Sequence, residues 1–203
     1  MSNEDGNDKQ QDPPGILYNL VLIGSPAVGK TCLFNIWTGE TFRDVYITTL
    51  GVDKVTLTEE RDGVTYNVKV WDTTGQERFA SLATKYLRKA DGVFFVYAVD
   101  DKTTFDEINK WVSIMKDTNS HEKLQKILIA NKIDLPRKVS TEEGETLAKQ
   151  LGMTYCETSA KDGTGVKDTY KKLVNAVITV NYEKAQKKIF KLKNEKKKKI
   201  SKC

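Results

Sequence analysis

The octapeptide Gly24-Ser25-Pro26-Ala27-Val28-Gly29-Lys30-Thr31 closes an apolar run, Ile16–Ile23, and opens a segment with helical spacing. It has the G-x-x-x-x-G-K-[ST] form of a phosphate loop. Its glycines let the backbone wrap a polyphosphate, so that N–H groups and the N-terminus of the next helix face negative oxygens. Lys30 then reaches the β and γ phosphates, and the Thr31 hydroxyl can ligate Mg²⁺. This chemistry demands a strand, a tight loop and a helix in that order, a stronger constraint on the fold than any other stretch imposes. The loop signals a nucleoside triphosphate without naming its base.

The 203 residues suit one domain with a single core. No stretch approaches the roughly 20 apolar residues of a membrane span, and the first fifteen residues are polar and mildly acidic, unlike a secretory signal. Cys32, Cys156 and Cys203 are odd in number and His121 is the single histidine. Neither a disulfide framework nor a zinc site is supported, and a reducing, cytoplasmic compartment is expected. Ten lysines against Glu183 and Glu195 put a charge of +8 on residues 182–203, so the rest of the chain carries −3 of the net +5. A mildly acidic body with a basic tail is not the footprint of a nucleic-acid binder, and no nucleic-acid partner is expected. The organisation predicted is a leader over 1–15, a folded domain over 16–181 and a polybasic tail over 182–203.

Strands are predicted at Tyr18–Ile23, Lys54–Thr58, Thr65–Trp71, Val93–Val99, Lys126–Ala130 and Thr154–Cys156. Asp62-Gly63 between the second and third reads as a hairpin turn, which makes that pair antiparallel. Helices are predicted at Lys30–Thr38, Arg78–Lys89, Thr104–Asp117, Thr141–Leu151 and Val166–Val180. The alternation implies an α/β domain: six strands, mostly parallel with one antiparallel, and about five helices on both faces. Ligands of such sheets lie at the carboxyl ends of the strands, where the remaining motifs fall.

Asp72-Thr73-Thr74-Gly75-Gln76 follows the third strand, 41 residues after Thr31. Asp72 can hold Mg²⁺ through a water, Gly75 can bring its N–H to a γ-phosphate, and Gln76 can orient an attacking water. Asn131-Lys132-Ile133-Asp134 follows the fifth strand. The Asp134 carboxylate only accepts, so it suits the N1–H and 2-amino donors of guanine, a pair that adenine lacks. Asn131 would tie this loop to the phosphate loop, and the Lys132 stem can lie along the base. After the sixth strand, Ser159, Ala160 and Lys161 complete the set, with the Ala160 N–H directed at guanine O6. The contacts expected from the phosphate loop are Ala27, Val28, Gly29, Lys30, Thr31 and Cys32. Cys32 and Cys156 also read as core residues, Trp37 and Trp111 as packing residues, and His121 as an exposed loop residue.

These motifs resemble those of Ras-superfamily small GTPases over residues 16–181, within the P-loop NTPase fold. Trp71 in Trp71-Asp72-Thr73-Thr74-Gly75-Gln76-Glu77, Thr49-Leu50-Gly51-Val52-Asp53, Tyr86-Leu87-Arg88-Lys89-Ala90 and the basic tail ending in Cys are similar to the Rab family in particular. The resemblance implies GTP and GDP as ligands, with Mg²⁺ held by Thr31, Thr49 and, through water, Asp72. The spacing favours Thr49 over Thr48. It implies Phe42 on the guanine face, Gln76 and Lys30 as catalytic residues, and slow hydrolysis of GTP to GDP and phosphate. The implied partners are an exchange factor, a GTPase-activating protein, a GDP dissociation inhibitor or escort protein, and effectors. The implied setting is a monomer on the cytosolic face of intracellular membranes, acting in vesicle traffic.

Five departures from the family pattern stand out. Pro26 and Ala27 replace the usual Ser and Gly, and proline fixes φ and adds bulk beside the γ-phosphate, where an inserted arginine would come. Thr74 stands in place of Ala, and slowed hydrolysis is expected from it. Pro26 and Thr74 favour an alternative, a GTP-binding interaction module with little intrinsic hydrolysis, against which the intact Gln76 argues. A nucleotide kinase has no use for the guanine motifs. Lys54 replaces a Phe that would join Trp71 and Tyr86 in an aromatic triad. Cys203 follows Ser201-Lys202, so neither a C-a-a-X box nor a double cysteine is present. It still resembles a prenyl acceptor, and one lipid chain plus the polybasic tail would give stable but reversible membrane binding.

Overall fold

The computed structural model describes residues 14–42, 52–73, 80–119 and 121–182. Six strands, β1 (Ile16–Ile23), β2 (Val52–Arg61), β3 (Val64–Thr73), β4 (Gly92–Ala98), β5 (Gln125–Asn131) and β6 (Thr154–Thr158), form one sheet in the order β2-β3-β1-β4-β5-β6. Only β2 is antiparallel to its neighbour; β3, β1, β4, β5 and β6 are parallel. The hairpin turn is the predicted one. Asp62 and Gly63 both take positive φ, 50° and 69°, as a tight two-residue connection requires. The ladder runs on from Lys54↔Trp71 to Arg61↔Val64, past the apolar run, because main-chain pairing continues after side-chain burial has ended.

Six helices lie among the described residues: α1 (Lys30–Trp37), α2 (Ala80–Leu87), α3 (Lys102–Asp106), α4 (Ile108–Thr118), α5 (Thr141–Leu151) and α6 (Val166–Val180). Strand alternation sends Leu20, Leu22, Phe94, Val96 and Ile129 to one face, under α1 and α6. Val21, Ile23, Phe95, Tyr97 and Leu128 go to the other, under α2, α4 and α5. All seven residues of β4 are buried, as expected for a central strand covered on both sides. On α6 the apolar residues Val166, Tyr170, Leu173, Val174, Val177 and Ile178 are all buried.

One prediction needs correction. The helix expected over Thr104–Asp117 is two helices, broken at Glu107. The Thr104 hydroxyl accepts from Ala98 N–H (3.0 Å) and donates to Asp101 C=O (2.8 Å), which ties α3 back to the end of β4. In α4, Ile108, Trp111, Val112 and Met115 bury against the sheet. Glu107, in the right-handed helical region at φ −73° and ψ −9°, is the single residue between the two helices.

Candidate nucleotide site

The loops that leave β1, β5 and β6 gather at the carboxyl ends of those strands, where β3 also ends, and the order of connection reverses at β1. Residues 24–29 therefore sit over the switch point. Gly24 has φ 146°, and a Cβ there would lie 2.2 Å from Val96 O. Gly29 has φ 94°, and its Cβ would lie 2.4 Å from Asn131 Nδ2. Both positions need glycine because other backbone or side-chain atoms pass that close. Between them Ala27 takes φ 60°, a left-handed conformation that costs an L-residue about 1 kcal/mol. Gly29 precedes α1 with no side-chain cap on the helix N-terminus, the arrangement that receives an anion.

Lys30 is 5% exposed, and its Nζ donates to Gly24 O (2.9 Å) and Ser25 O (2.8 Å). Burial lowers its pKa to about 8, although the Asp72 charge opposes the shift. The Thr31 hydroxyl donates to Asp72 Oδ2 at 2.6 Å. The other oxygen, Oδ1, is buried and has no hydrogen-bond partner among the described residues. Burial raises the Asp72 carboxyl to about 6, against the downward pull of the Thr31 hydrogen bond and the Lys30 charge. An orphaned carboxylate oxygen beside a threonine hydroxyl fits a hard divalent cation, which takes oxygen ligands. Among the described residues no group of three or more His, Cys, Asp or Glu is present to hold a metal. Mg²⁺, which uses one or two protein ligands together with phosphate and water, suits such a site.

On the base side, Asn131 is the junction. Its Nδ2 donates to Val28 O (2.8 Å), and its Oδ1 accepts from the Thr158 hydroxyl (2.9 Å) and from Ala160 N–H (3.3 Å). One buried side chain thus joins the loops after β1, β5 and β6. The Ala160 N–H, expected to face guanine O6, is directed at Asn131 in this structure. Exposed Asp134 accepts from the Ser159 hydroxyl at 2.7 Å, while Ser159 itself is fully buried. Lys132 takes φ 66° and lies 3.8 Å from Asp100. Lys161 is exposed. Val28 is wholly buried, and Cys32 and Phe42 are partly buried against the core under α1 and α6. Cys156 and Trp111 are buried and His121 is exposed. Thr48, Thr49, Thr74, Gly75, Gln76 and Cys203 lie outside the described residues.

Two features of the site had no signal in the sequence. The Ser25 hydroxyl donates to the Glu107 carboxylate and receives the Trp111 indole N–H at 3.4 Å. Arg137 makes a bidentate pair with Glu157 (2.9 and 2.8 Å), and Thr141 and Tyr155 donate to the same carboxylate. This pair links the segment after Asp134 to the strand that leads into Ser159.

The model of the Ras family matches residues 19–179. Ras-related protein Rab-15 of Rattus norvegicus is 41% identical over 172 residues, 84% of this chain and 79% of the relative. Ras-related protein RIC1 of Oryza sativa subsp. japonica is 40% identical over 76% of this chain and 77% of its own length. Ras-related protein RABD2c of Arabidopsis thaliana is 38% identical over 80% and 81%. With the phosphate loop over the switch point of a Ras-type sheet, and Rab-named relatives matched over most of both lengths, the chain belongs to the Ras family as a Rab-type small GTPase.

Proposed function

We propose that this GTPase is a Mg²⁺-dependent switch that binds GTP and GDP, hydrolyses GTP slowly and acts from a membrane surface. The observation that carries the reading is the junction at Asn131, which brings a phosphate loop and two guanine-type loops to one place. The phosphates would lie along the amides of Ala27–Cys32 and on Lys30. The base would lie between Phe42 and the Lys132 stem, with Asp134 as the acceptor that selects guanine and Ser159, Ala160 and Lys161 closing the pocket. Thr31, Thr49 and, through water, Asp72 would hold Mg²⁺, which when bound neutralises charge on the β and γ phosphate oxygens.

Gln76 orients the attacking water, and Gly75 donates its N–H to the γ-phosphate. Lys30 and the loop amides bear the charge that develops as the bond to the leaving GDP breaks. Unassisted turnover in this class is on the order of 10⁻⁴ per second. Timing would therefore rest with exchange factors and activating proteins, and the effector surface with the segments around Thr49 and Gln76. No described helix is long and apolar enough to cross a membrane. Attachment would run through the lysines of residues 182–203 and a prenyl group on Cys203, with a dissociation inhibitor or escort protein shielding the lipid. Vesicle traffic is the process that such a switch serves.

The test is chromatography of the nucleotide released when freshly purified protein is denatured. GDP in near-stoichiometric amount is expected. Predominant GTP would replace the switch with a binding module that scarcely hydrolyses, and the absence of guanine nucleotide would overturn the site.

A further inference from the structure

The break between α3 and α4 and the phosphate loop meet at one side chain. Ser25 is 3% exposed, and its hydroxyl uses both of its capacities there, donating to Glu107 and accepting from Trp111, which is also 3% exposed. Glu107 is held in turn through its backbone. Its N–H donates to Thr103 O at 3.1 Å, and its C=O accepts from Lys110 N–H (3.0 Å) and Trp111 N–H (3.3 Å). The main-chain carbonyl of the same Ser25 receives Lys30 Nζ. Glu107 is the residue at the junction of α3 and α4, and its carboxylate meets the phosphate loop at the Ser25 hydroxyl.

The loop has reason to need such a hold. Two positions on from Ser25, Ala27 stands in the left-handed region without the freedom of glycine, and both Pro26 and Ala27 are exposed. Ser25, beside these two exposed residues, is pinned from within. A loop that cradles phosphates must keep its amides in register before the ligand arrives, because disorder there is a cost of binding.

We propose that Glu107 is a positioning residue for nucleotide binding: through the Ser25 hydroxyl, and with Trp111 behind it, it fixes the phosphate loop in its binding conformation. The inference rests on the nucleotide site proposed above. It makes the α3–α4 corner part of the phosphate site, 82 residues from Ser25 in the chain.

The experiment is release of a fluorescent GDP analogue from the full chain with Mg²⁺ present, chased with excess GDP, alongside thermal unfolding. Glu107→Ala and Ser25→Ala should each release the analogue about tenfold faster, the loss expected of a hydrogen bond to a charged group. Glu107→Gln keeps an acceptor and should stay within about twofold of the wild type. The double variant should be no faster than the faster single one, because both changes remove the same link. Midpoints of unfolding should not follow this order. Release at the wild-type rate from Ser25→Ala, or additive effects in the double variant, overturns the inference. The Ser25 variant removes a single oxygen and carries the test even if Glu107→Ala does not fold. A wild type that retains no analogue overturns the nucleotide reading, and this inference with it.

Discussion

The base end and the phosphate end of the site are built on opposite principles. At the base end the side chains that join the loops are answered by the protein, although Asp100 Oδ1, beside Lys132, is buried without a hydrogen bond among the described residues. Asn131 makes three hydrogen bonds, Asp134 holds Ser159, and Glu157 takes Arg137, Thr141 and Tyr155. At the phosphate end the protein buries an ammonium and a carboxylate, lowers the one to about 8, raises the other to about 6, and leaves an oxygen of Asp72 without a hydrogen-bond partner among the described residues. Buried charge left incomplete costs stability until something completes it. The base end is thus largely organised by folding, while the phosphate end is left for the proposed ligand to complete.

Substitutions on the two sides should separate stability from affinity. The largest effect is expected from Lys30→Met, which removes the buried charge while keeping an apolar stem. Nucleotide affinity should fall by about 4 kcal/mol, roughly a thousandfold. The unfolding free energy of nucleotide-stripped protein should change by less than about 1 kcal/mol, because the lost hydrogen bonds are offset by relief of desolvation. Calorimetric titration and denaturant unfolding on the same protein check both. Large destabilisation of the stripped protein would break the comparison.

Asn131→Ala should behave in the opposite way. It strands the Val28 carbonyl, the Thr158 hydroxyl and the Ala160 N–H, at a cost of about 3 kcal/mol to the stripped protein before any ligand is present. An unfolding midpoint unchanged in the absence of nucleotide would show that the base end, too, waits for its ligand.

The smallest effect is expected from Arg137→Ala, about 1 kcal/mol, since the pair with Glu157 is partly exposed. Its pH dependence is the sharper readout. Burial acts to raise the Glu157 carboxyl, but the hydrogen bonds from Arg137, Thr141 and Tyr155 outweigh it and leave the group below its ordinary 4.5. Its stabilisation is present above the unfolded value and is lost as pH falls through the lower folded one. Wild-type stability should therefore drop on acidification below about pH 4.5, and Arg137→Ala should drop less steeply.

Much of this site was legible before any coordinates. Periodicity placed α1, α5 and α6 to within a residue, and Asp62-Gly63 announced its hairpin, because short-range backbone preference governs both. The motif residues Lys30, Asp72, Asn131 and Asp134 stood out by type and spacing, and that chemistry carries the proposal of a phosphate and guanine site. Helical spacing across 104–117 did not reveal the break at Glu107. Periodicity reports which face is buried, and Thr104 and Trp111 are both buried; it carries nothing about a tether from Thr104 to the end of β4.

The amino-acid sequence by itself determined which groups this protein offers to the proposed nucleotide site, and most of the strands and helices that carry them. Local pattern and side-chain chemistry are properties of neighbouring residues. Only the tertiary structure decided which of those groups are satisfied within the protein and which are left for a ligand. That outcome depends on partners 41, 82 and 103 residues apart, Thr31 with Asp72, Ser25 with Glu107 and Asn131 with Val28. Sheet order and helix direction set those meetings, and neither is written in the spacing of any one segment.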